Sequence, residues 1–466
     1  MSKYLYLPLE IVYRENDAKS LFAFKALHKG WKVIVAPKLE LYKMLEFLPK
    51  GTFILKSALP SELKQIQDLK KYGHKIYSLD EEGVVTYEIF LQGNYRYNHE
   101  TVSLLDGIFF WGKKQKNIFN QNMPEHAIKS HLTGNPRIEL WKRYSAKIYK
   151  KQAQKLRNMY GDFLFFPTSF GIANNYLQGN QGVELSFEMY NQDLDEVEHF
   201  LLGQKENNLF ALESYLDLIP DLAKSLYPQK IIIRPHPSED SNVWDSISKK
   251  YDNVNIKYEG SVGPWALASK AMLHFKSTTS IESNLMDVNT FTFLPKFPND
   301  MEKYELHLPK NSSIVLRSKE EAISEISKYF NGGTSIKNPD LKESEWLSFR
   351  KDISESEEIL NIIESTSIDV PDSKIIGKTS FFRELRSYYE IFLVFLNSSL
   401  LIKTFLPNRL KRNKQKIKYG KRKYEGWSFE HNRDLLSNFA QIDEVKPDNF
   451  LIKDLNGKGV LFERKN

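Results

Sequence analysis

The run Lys230-Ile231-Ile232-Ile233-Arg234-Pro235-His236-Pro237 is a continuous apolar segment that stops at a His-Pro corner. Uninterrupted isoleucines without alternation read as a parallel strand covered on both faces. The two prolines fix the backbone beyond it and display His236 reproducibly. Further along, residues 271–275 read as a second such strand. It runs into the hydroxyl-rich helix start Ser277-Thr278-Thr279-Ser280-Ile281-Glu282. Both segments bring polar groups to one edge of a sheet, where open α/β sheets bind ligands. An imidazole, a guanidinium, hydroxyls and a helix N-terminus together suit a phosphate.

The same alternation of short apolar runs and longer helical patterns fills the first 340 residues. Strands are expected at 31–36, 52–55, 75–79 and 107–111, then at 162–167, 230–234, 254–258, 271–275, 290–294 and 313–316. Strands separated by helices imply βαβ units. A polar, basic stretch at 142–159, preceded by the turn Gly134-Asn135-Pro136-Arg137, divides the two series. The expected fold class is α/β, with Rossmann-like domains at 1–155 and 156–368 facing a cleft. The connection 169–226 has room for two helices, and 342–365 reads as a helix closing the second domain.

Residues 369–466 read as a basic, partly helical appendage. Within it, 381–402 is aromatic and aliphatic, and ten Lys or Arg residues without an acid follow at 403–423. Subtracting those ten from the net charge of +7 leaves −3 for the rest, which argues against a nucleic-acid-binding body. An apolar helix followed by a polybasic run suits an anionic membrane surface, so 381–423 is the expected contact. No run reaches the ~18 apolar residues of a spanning helix. The start, Met1-Ser2-Lys3-Tyr4-Leu5-Tyr6-Leu7-Pro8, lacks the features of a signal peptide, and a cytoplasmic location is expected. Cysteine is absent, which excludes disulfides, thiolate metal sites and a Cys nucleophile.

Three elements carry candidate chemistry. His236 at a strand end is placed to contact a phosphate and stabilise a leaving group, with Arg234 adding a charge-assisted contact. Ser277, Thr278 and Thr279 read as helix caps or as phosphate-binding hydroxyls. Glu282, one turn further, accepts from ribose hydroxyls or faces solvent. Asp80-Glu81-Glu82-Gly83 follows the strand at 75–79; crowded carboxyls raise one another's pKa and favour a general base. Asp193-Leu194-Asp195 has the spacing of a metal-binding signature, but it lies in an acidic insertion and reads as solvated surface.

In this order, the acidic-acidic-Gly, His-Pro and Ser/Thr-rich elements resemble those of bacterial sialyltransferases and polysialyltransferases. The wider pattern is closer to the bacterial surface carbohydrate (surface polysaccharide) biosynthesis family. It is carried by Leu9-Glu10 with Arg14-Glu15, Asp80-Glu81-Glu82-Gly83, Trp111-Gly112 and Thr133-Gly134-Asn135-Pro136-Arg137. Tyr160-Gly161-Asp162-Phe163, Arg234-Pro235-His236-Pro237-Ser238-Glu239 and Ser277-Thr278-Thr279 complete it. The resemblance implies a GT-B-type, metal-independent glycosyltransferase. It would use a CMP-activated ulosonic acid, such as a sialic acid-like sugar, pseudaminic or legionaminic acid, or Kdo. The acceptor would be a surface glycan of capsule or lipopolysaccharide type, free or lipid-linked.

Carried across, Glu81 matches the base that deprotonates the acceptor, Glu82 the second acidic position, and His236 the donor-phosphate contact. Arg234, Pro237, Ser277, Thr278, Thr279 and Glu282 fall on the donor side. A retaining variant would need a carboxylate nucleophile, Glu82 or Asp80. No metal or other cofactor is expected. The peripheral position would be the inner face of the cytoplasmic membrane. The alternatives are a CDP-glycerol-type polyol-phosphate transferase and a non-catalytic scaffold of a glycan assembly complex.

Overall fold

The structure is a computed structural model that describes residues 1–92, 95–176, 183–184, 195–298, 301–333, 337–350, 352–371, 378–379 and 423–465. Two parallel sheets organise it. The first contains β1 (Ser2–Leu9), β2 (Trp31–Pro37), β3 (Thr52–Leu55), β4 (Lys75–Ser78), β5 (Gly107–Phe110) and β6 (Ser130–Leu132). They lie in the order β2-β1-β3-β4-β5-β6. The second contains β7 (Phe163–Pro167), β8 (Lys230–Arg234), β9 (Val254–Ile256), β10 (Ala271–His274), β11 (Asn289–Phe293) and β12 (Ile314–Leu316), in the order β12-β11-β10-β7-β8-β9. Counted from its own first strand, that is the doubly wound order of nucleotide-binding sheets. The fold is therefore α/β and GT-B-like, with two Rossmann-like domains.

The expected strands all form, shifted by a residue or two at their ends. Their register explains the apolar runs. Ile231 and Ile233 face the same core as Leu164 and Phe166, while Ile232 turns to the opposite face with Phe165 and Trp265. Both faces of β8 are covered, so no polar residue is needed within it.

Helix α1 (Val12–His28) follows β1 and packs in the first-domain core through Leu21, Phe22 and Phe24. The long connection after β7 holds one described helix, α2 (Asp195–Leu226), where two were expected. Its C-terminal half buries Tyr215, Leu218, Ile219 and Leu222 against the second sheet. Its N-terminal half instead places Val197 and Leu201 against Phe90 and Tyr95 of the first domain. One rod thus braces both domains. A short helix, α3 (Thr279–Leu285), follows β10.

The chain then returns. Helix α4 (Glu355–Glu364), started by a Ser354/Glu357 capping box, puts Ile359, Leu360 and Ile363 into the first-domain core. The sequence reading had this segment closing the second domain. β13 (Asp369–Val370) pairs with β1 at Ser2 and Lys3. Helix α5 (Phe429–Ile442) lays Phe439 against Phe24, with ring centroids 6.0 Å apart. The hairpin β14 (Phe450–Asp454) and β15 (Val460–Arg464) adds to the edge of β2. Residues 423–465, read as part of an appendage, are thus built into the first domain, because α1 and β2 present an apolar face and an open edge that they cover. The apolar segment 381–402 and the basic run as far as residue 422 lie outside the described residues. Among the described residues, no helix is long and apolar enough to cross a membrane.

Candidate active site

A cavity of about 400 Å³ lies between the domains, at the ends of both sheets where β1/β3 and β7/β10 reverse the strand order. Arg14, Asp17, Glu82 and Arg137 line it from the first domain, and Arg234, His236, Thr278 and Glu282 from the second. The expected site residues therefore gather in one place, with two exceptions on the acidic side.

Asp80 is the first exception. Its backbone adopts φ +43, which turns the carboxylate inward, and none of it reaches solvent. Arg96 Nε donates to Oδ1 at 2.8 Å, and Tyr97 and Gln115 both donate to Oδ2. Trp111 Nε1 donates to the Asp80 carbonyl at 3.1 Å. Asp80 is an anchor that fixes the loop. Gly83 is required by the same anchor: a Cβ there would stand 2.1 Å from Asp80 Oδ2 and 1.8 Å from Gln115 Nε2.

Glu81 is the second exception. It is 3% exposed and lies behind the cavity wall, 3.2 Å from Lys19 Nζ. Lys19 also pairs with Glu15 at 3.0 Å, and Glu81 Oε2 has no hydrogen-bond partner. Burial, reinforced by Glu15, pushes the Glu81 carboxyl above its usual range despite Lys19. Glu82 differs. It lines the cavity between Arg14 at 2.9 Å and Lys56 at 3.1 Å. Burial opposes its charge, but Lys56 and Arg14 outweigh that and hold its carboxyl well below the usual range. Lys56 continues to Glu10 at 2.8 Å, and Lys423 reaches the same Glu10 at 2.8 Å. Neighbouring carboxylates thus have opposite proton affinities, set by which of them has two cations.

On the second domain, His236 is exposed toward the cleft it lines. Ser238 N–H donates to its Nδ1 at 3.2 Å, with Ser238 Oγ 2.7 Å away. Nδ1 is therefore the acceptor, and the proton resides on Nε2. Desolvation, helped by Arg14 and opposed by Glu82, lowers the imidazole to about 4 and favours its neutral form. Glu239 braces this corner: it accepts from Thr168 Oγ1 at 2.7 Å and Phe170 N–H at 2.7 Å. Thr168 Oγ1 in turn accepts from His236 N–H at 3.2 Å. Pro237 lines the cavity beside it. Arg234 donates to the Glu259 carbonyl at 2.8 Å and to that of Gly260, and its guanidinium lies 5.7 Å from the Tyr258 ring centroid.

Ser277, Thr278 and Thr279 line the cavity after β10. Ser277 N–H donates to His274 Nδ1 at 3.2 Å, and its Oγ accepts from Thr279 N–H at 3.3 Å. Glu282 is 6% exposed and faces the cavity. Burial lifts its carboxyl to about 7, against the pull of Arg137.

Several cavity residues had been given no role. Lys276 has φ +53, which swings its side chain to Asn207 on α2, and burial lowers its amine to about 7. Asp17 accepts from Tyr149 Oη at 2.6 Å and pairs with His431 Nε2 at 2.9 Å, tying α1 to α5. Arg137 is named in the sequence only within the turn and the motif Thr133-Gly134-Asn135-Pro136-Arg137, without a role. Lys276 and Asp17 carry no local sequence signal; their buried charge makes them visible.

Outside the cleft, His99, Glu125 and His126 bring potential ligand atoms within 4.8 Å of one another on the surface, the one such group among the described residues. Asp193 and Leu194 lie outside the described residues; Asp195 is exposed at the start of α2.

No protein-family model and no curated protein matches the chain. Solved structures resemble it at low identity. The UDP-GlcNAc 2-epimerase of Methanocaldococcus jannaschii is 15% identical, covering 78% of this chain and 100% of its own, with a TM-score of 0.48. The UDP-GlcNAc 2-epimerase of Neisseria meningitidis is 13% identical over 78% and 100%, with a TM-score of 0.45. The wall teichoic acid polymerase TagF is 12% identical over 71% and 81%, with a TM-score of 0.44.

Proposed function

We propose that the chain is a glycosyltransferase that moves an ulosonic acid from a CMP donor to a bacterial surface-glycan acceptor. One observation carries the reading. The cavity between the two sheet ends sets the His236 imidazole within the field of Arg14 and Glu82 from the opposite domain. Phosphate-binding groups and carboxylates thereby share one enclosed space.

In this reading His236 Nε2–H, Arg234 and the hydroxyls of Ser277, Thr278 and Thr279 hold the donor phosphate, with Pro237 shaping the corner. The acceptor oxygen attacks the anomeric carbon, and the bond to phosphate breaks. CMP departs with the electron pair, and its charge is met by fixed donors rather than by a metal. A carboxylate takes the acceptor proton. Glu82 is unsuited, because two cations suppress its proton affinity. Glu81, the expected base, has a raised pKa and an unpartnered Oε2 but stands behind the cavity wall. A specific observation favours Glu282 as the second reading: it has a pKa near 7 and itself faces the cavity. Placement on the inner face of the cytoplasmic membrane through 381–423 is part of the same proposal.

A thermal-shift panel of CMP, CMP-N-acetylneuraminate, CDP-glycerol, UDP and GDP tests the donor. Stabilisation by the two CMP ligands is expected. Stabilisation by UDP or GDP without CMP overturns the assignment, and turnover of CDP-glycerol transfers it to a polyol-phosphate enzyme. Failure of every nucleotide to bind leaves the scaffold.

A further inference from the structure

Arg137 is held in an unusual way. Asn135 caps the short turn Pro136–Glu139 by accepting from Arg137 N–H at 2.9 Å, which orients the side chain inward. The guanidinium lies 4.8 Å from the Trp141 ring centroid and 5.8 Å from that of Trp111. It is 8% exposed, and it borders the cavity. Among the described residues its side chain makes no hydrogen bond and no ion pair. Glu81, Glu282 and Glu15 attract it only from a distance, and Arg14 repels it.

A guanidinium offers five N–H donors in a planar fork. Burying it without acceptors is costly, and aromatic faces compensate only part of that cost. The two rings fix the plane while leaving the fork unused. Arg137 belongs to the first domain and borders the same cavity, with Glu282 of the second domain among the charges that attract it.

We infer that Arg137 binds a second anionic group of the substrate, a carboxylate or a second phosphate, through a bidentate contact. The inference rests on the nucleotide-donor reading and narrows it: the substrate carries two anions, one for each wall. An ulosonic acid supplies the second as a carboxylate on its anomeric carbon, and a CDP-polyol supplies it as a further phosphate. Arg137 acts as a binding residue that sets specificity.

Calorimetry of the wild-type chain, Arg137→Met and Arg137→Lys with CMP, CMP-N-acetylneuraminate and CDP-glycerol tests this. Arg137→Met is expected to bind CMP as the wild type does. It should bind the ligand with the second anion about tenfold or more weakly. Arg137→Lys keeps the charge without the fork and recovers part of the loss. The ligand whose affinity falls identifies the source of the anion. Equal weakening of CMP, or weakening of neither, overturns the inference.

A second measurement separates it from the donor reading. Stabilisation by inorganic phosphate in His236→Ala should need about tenfold more phosphate when Arg137→Met is added; an unchanged concentration dependence in the double variant refutes the Arg137 site. Failure of every nucleotide to bind the wild type sinks the donor reading alone. Should Arg137→Met not fold, Arg137→Gln, which is polar but uncharged, supplies both comparisons.

Discussion

Donor binding is expected to draw a proton onto His236. Desolvation and Arg14 outweigh Glu82 and lower the imidazole to about 4. A phosphate charge about 4 Å from the ring contributes about 4 kcal/mol at an effective dielectric of about 20. At 1.36 kcal/mol for each pH unit, that lifts the imidazole from about 4 to about 7. At pH 6 the free ring is then about 1% protonated and the bound ring about 90%. Binding takes up about 0.9 proton, and affinity weakens as pH rises from about 4 and levels off above about 7. Glu282 and Lys276 titrate near 7, so both are largely protonated at pH 6 and add little. A CMP-sugar is a phosphodiester and does not titrate there. Calorimetry of CMP-N-acetylneuraminate at pH 6, in buffers of different ionisation enthalpy, reads the uptake directly. His236→Ala should lower it by nearly one proton. An uptake near zero in the wild type, or the same uptake in the variant, would refute the placement of phosphate at His236.

Three further outcomes are expected. Asp80→Ala removes the carboxylate that Arg96 and Tyr97 hold in a fully buried position, and should cost about 3–5 kcal/mol in urea unfolding; a loss under about 1 kcal/mol would show that it is no anchor. Turnover should fall on the acid side, because the base must be deprotonated. If the limb has its midpoint near 7 and vanishes in Glu282→Gln, the base is Glu282; if Glu282→Gln leaves it unchanged while Glu81→Gln abolishes it, the base is Glu81; survival in both excludes the pair. Phe439→Ala, at a position with no exposure in the first-domain core, should destabilise by about 3–5 kcal/mol in chemical denaturation. A near-neutral effect would argue that α5 is dispensable to that domain.

The second sheet was legible because its strands are apolar on both faces. Ile231, Ile232 and Ile233 leave no other reading, and the corner after them follows from two prolines. β1 escaped because it carries Lys3 and contains Pro8, and because Tyr4 and Tyr6 bury one face while Leu5 and Leu7 bury the other. The β14–β15 hairpin did have a local signal. Asn456 and Gly457 take φ +58 and +73 in its turn, as a type I′ pair does. The division of labour among Asp80, Glu81 and Glu82 was not legible, since one left-handed backbone angle and the distant cations Arg14, Lys19 and Lys56 create it. Arg137 was hidden for a similar reason. Trp111 follows a strand, Trp141 belongs to a helical turn, and only the folded chain brings them to the guanidinium.

The first sheet collects residues 2–132, 369–370 and 450–464, whereas the second uses the unbroken span 163–316. During synthesis, the domain begun first is therefore finished last. Every strand of the second sheet has emerged while α1 still shows Phe24 to water and β2 still has an unpaired edge. A nascent chain arrested in that interval carries one complete sheet and one sticky, unfinished sheet. Its carboxylate wall then stands on the unfinished one. Completion of the first sheet waits for β14 and β15, which follow every strand of the second in the chain.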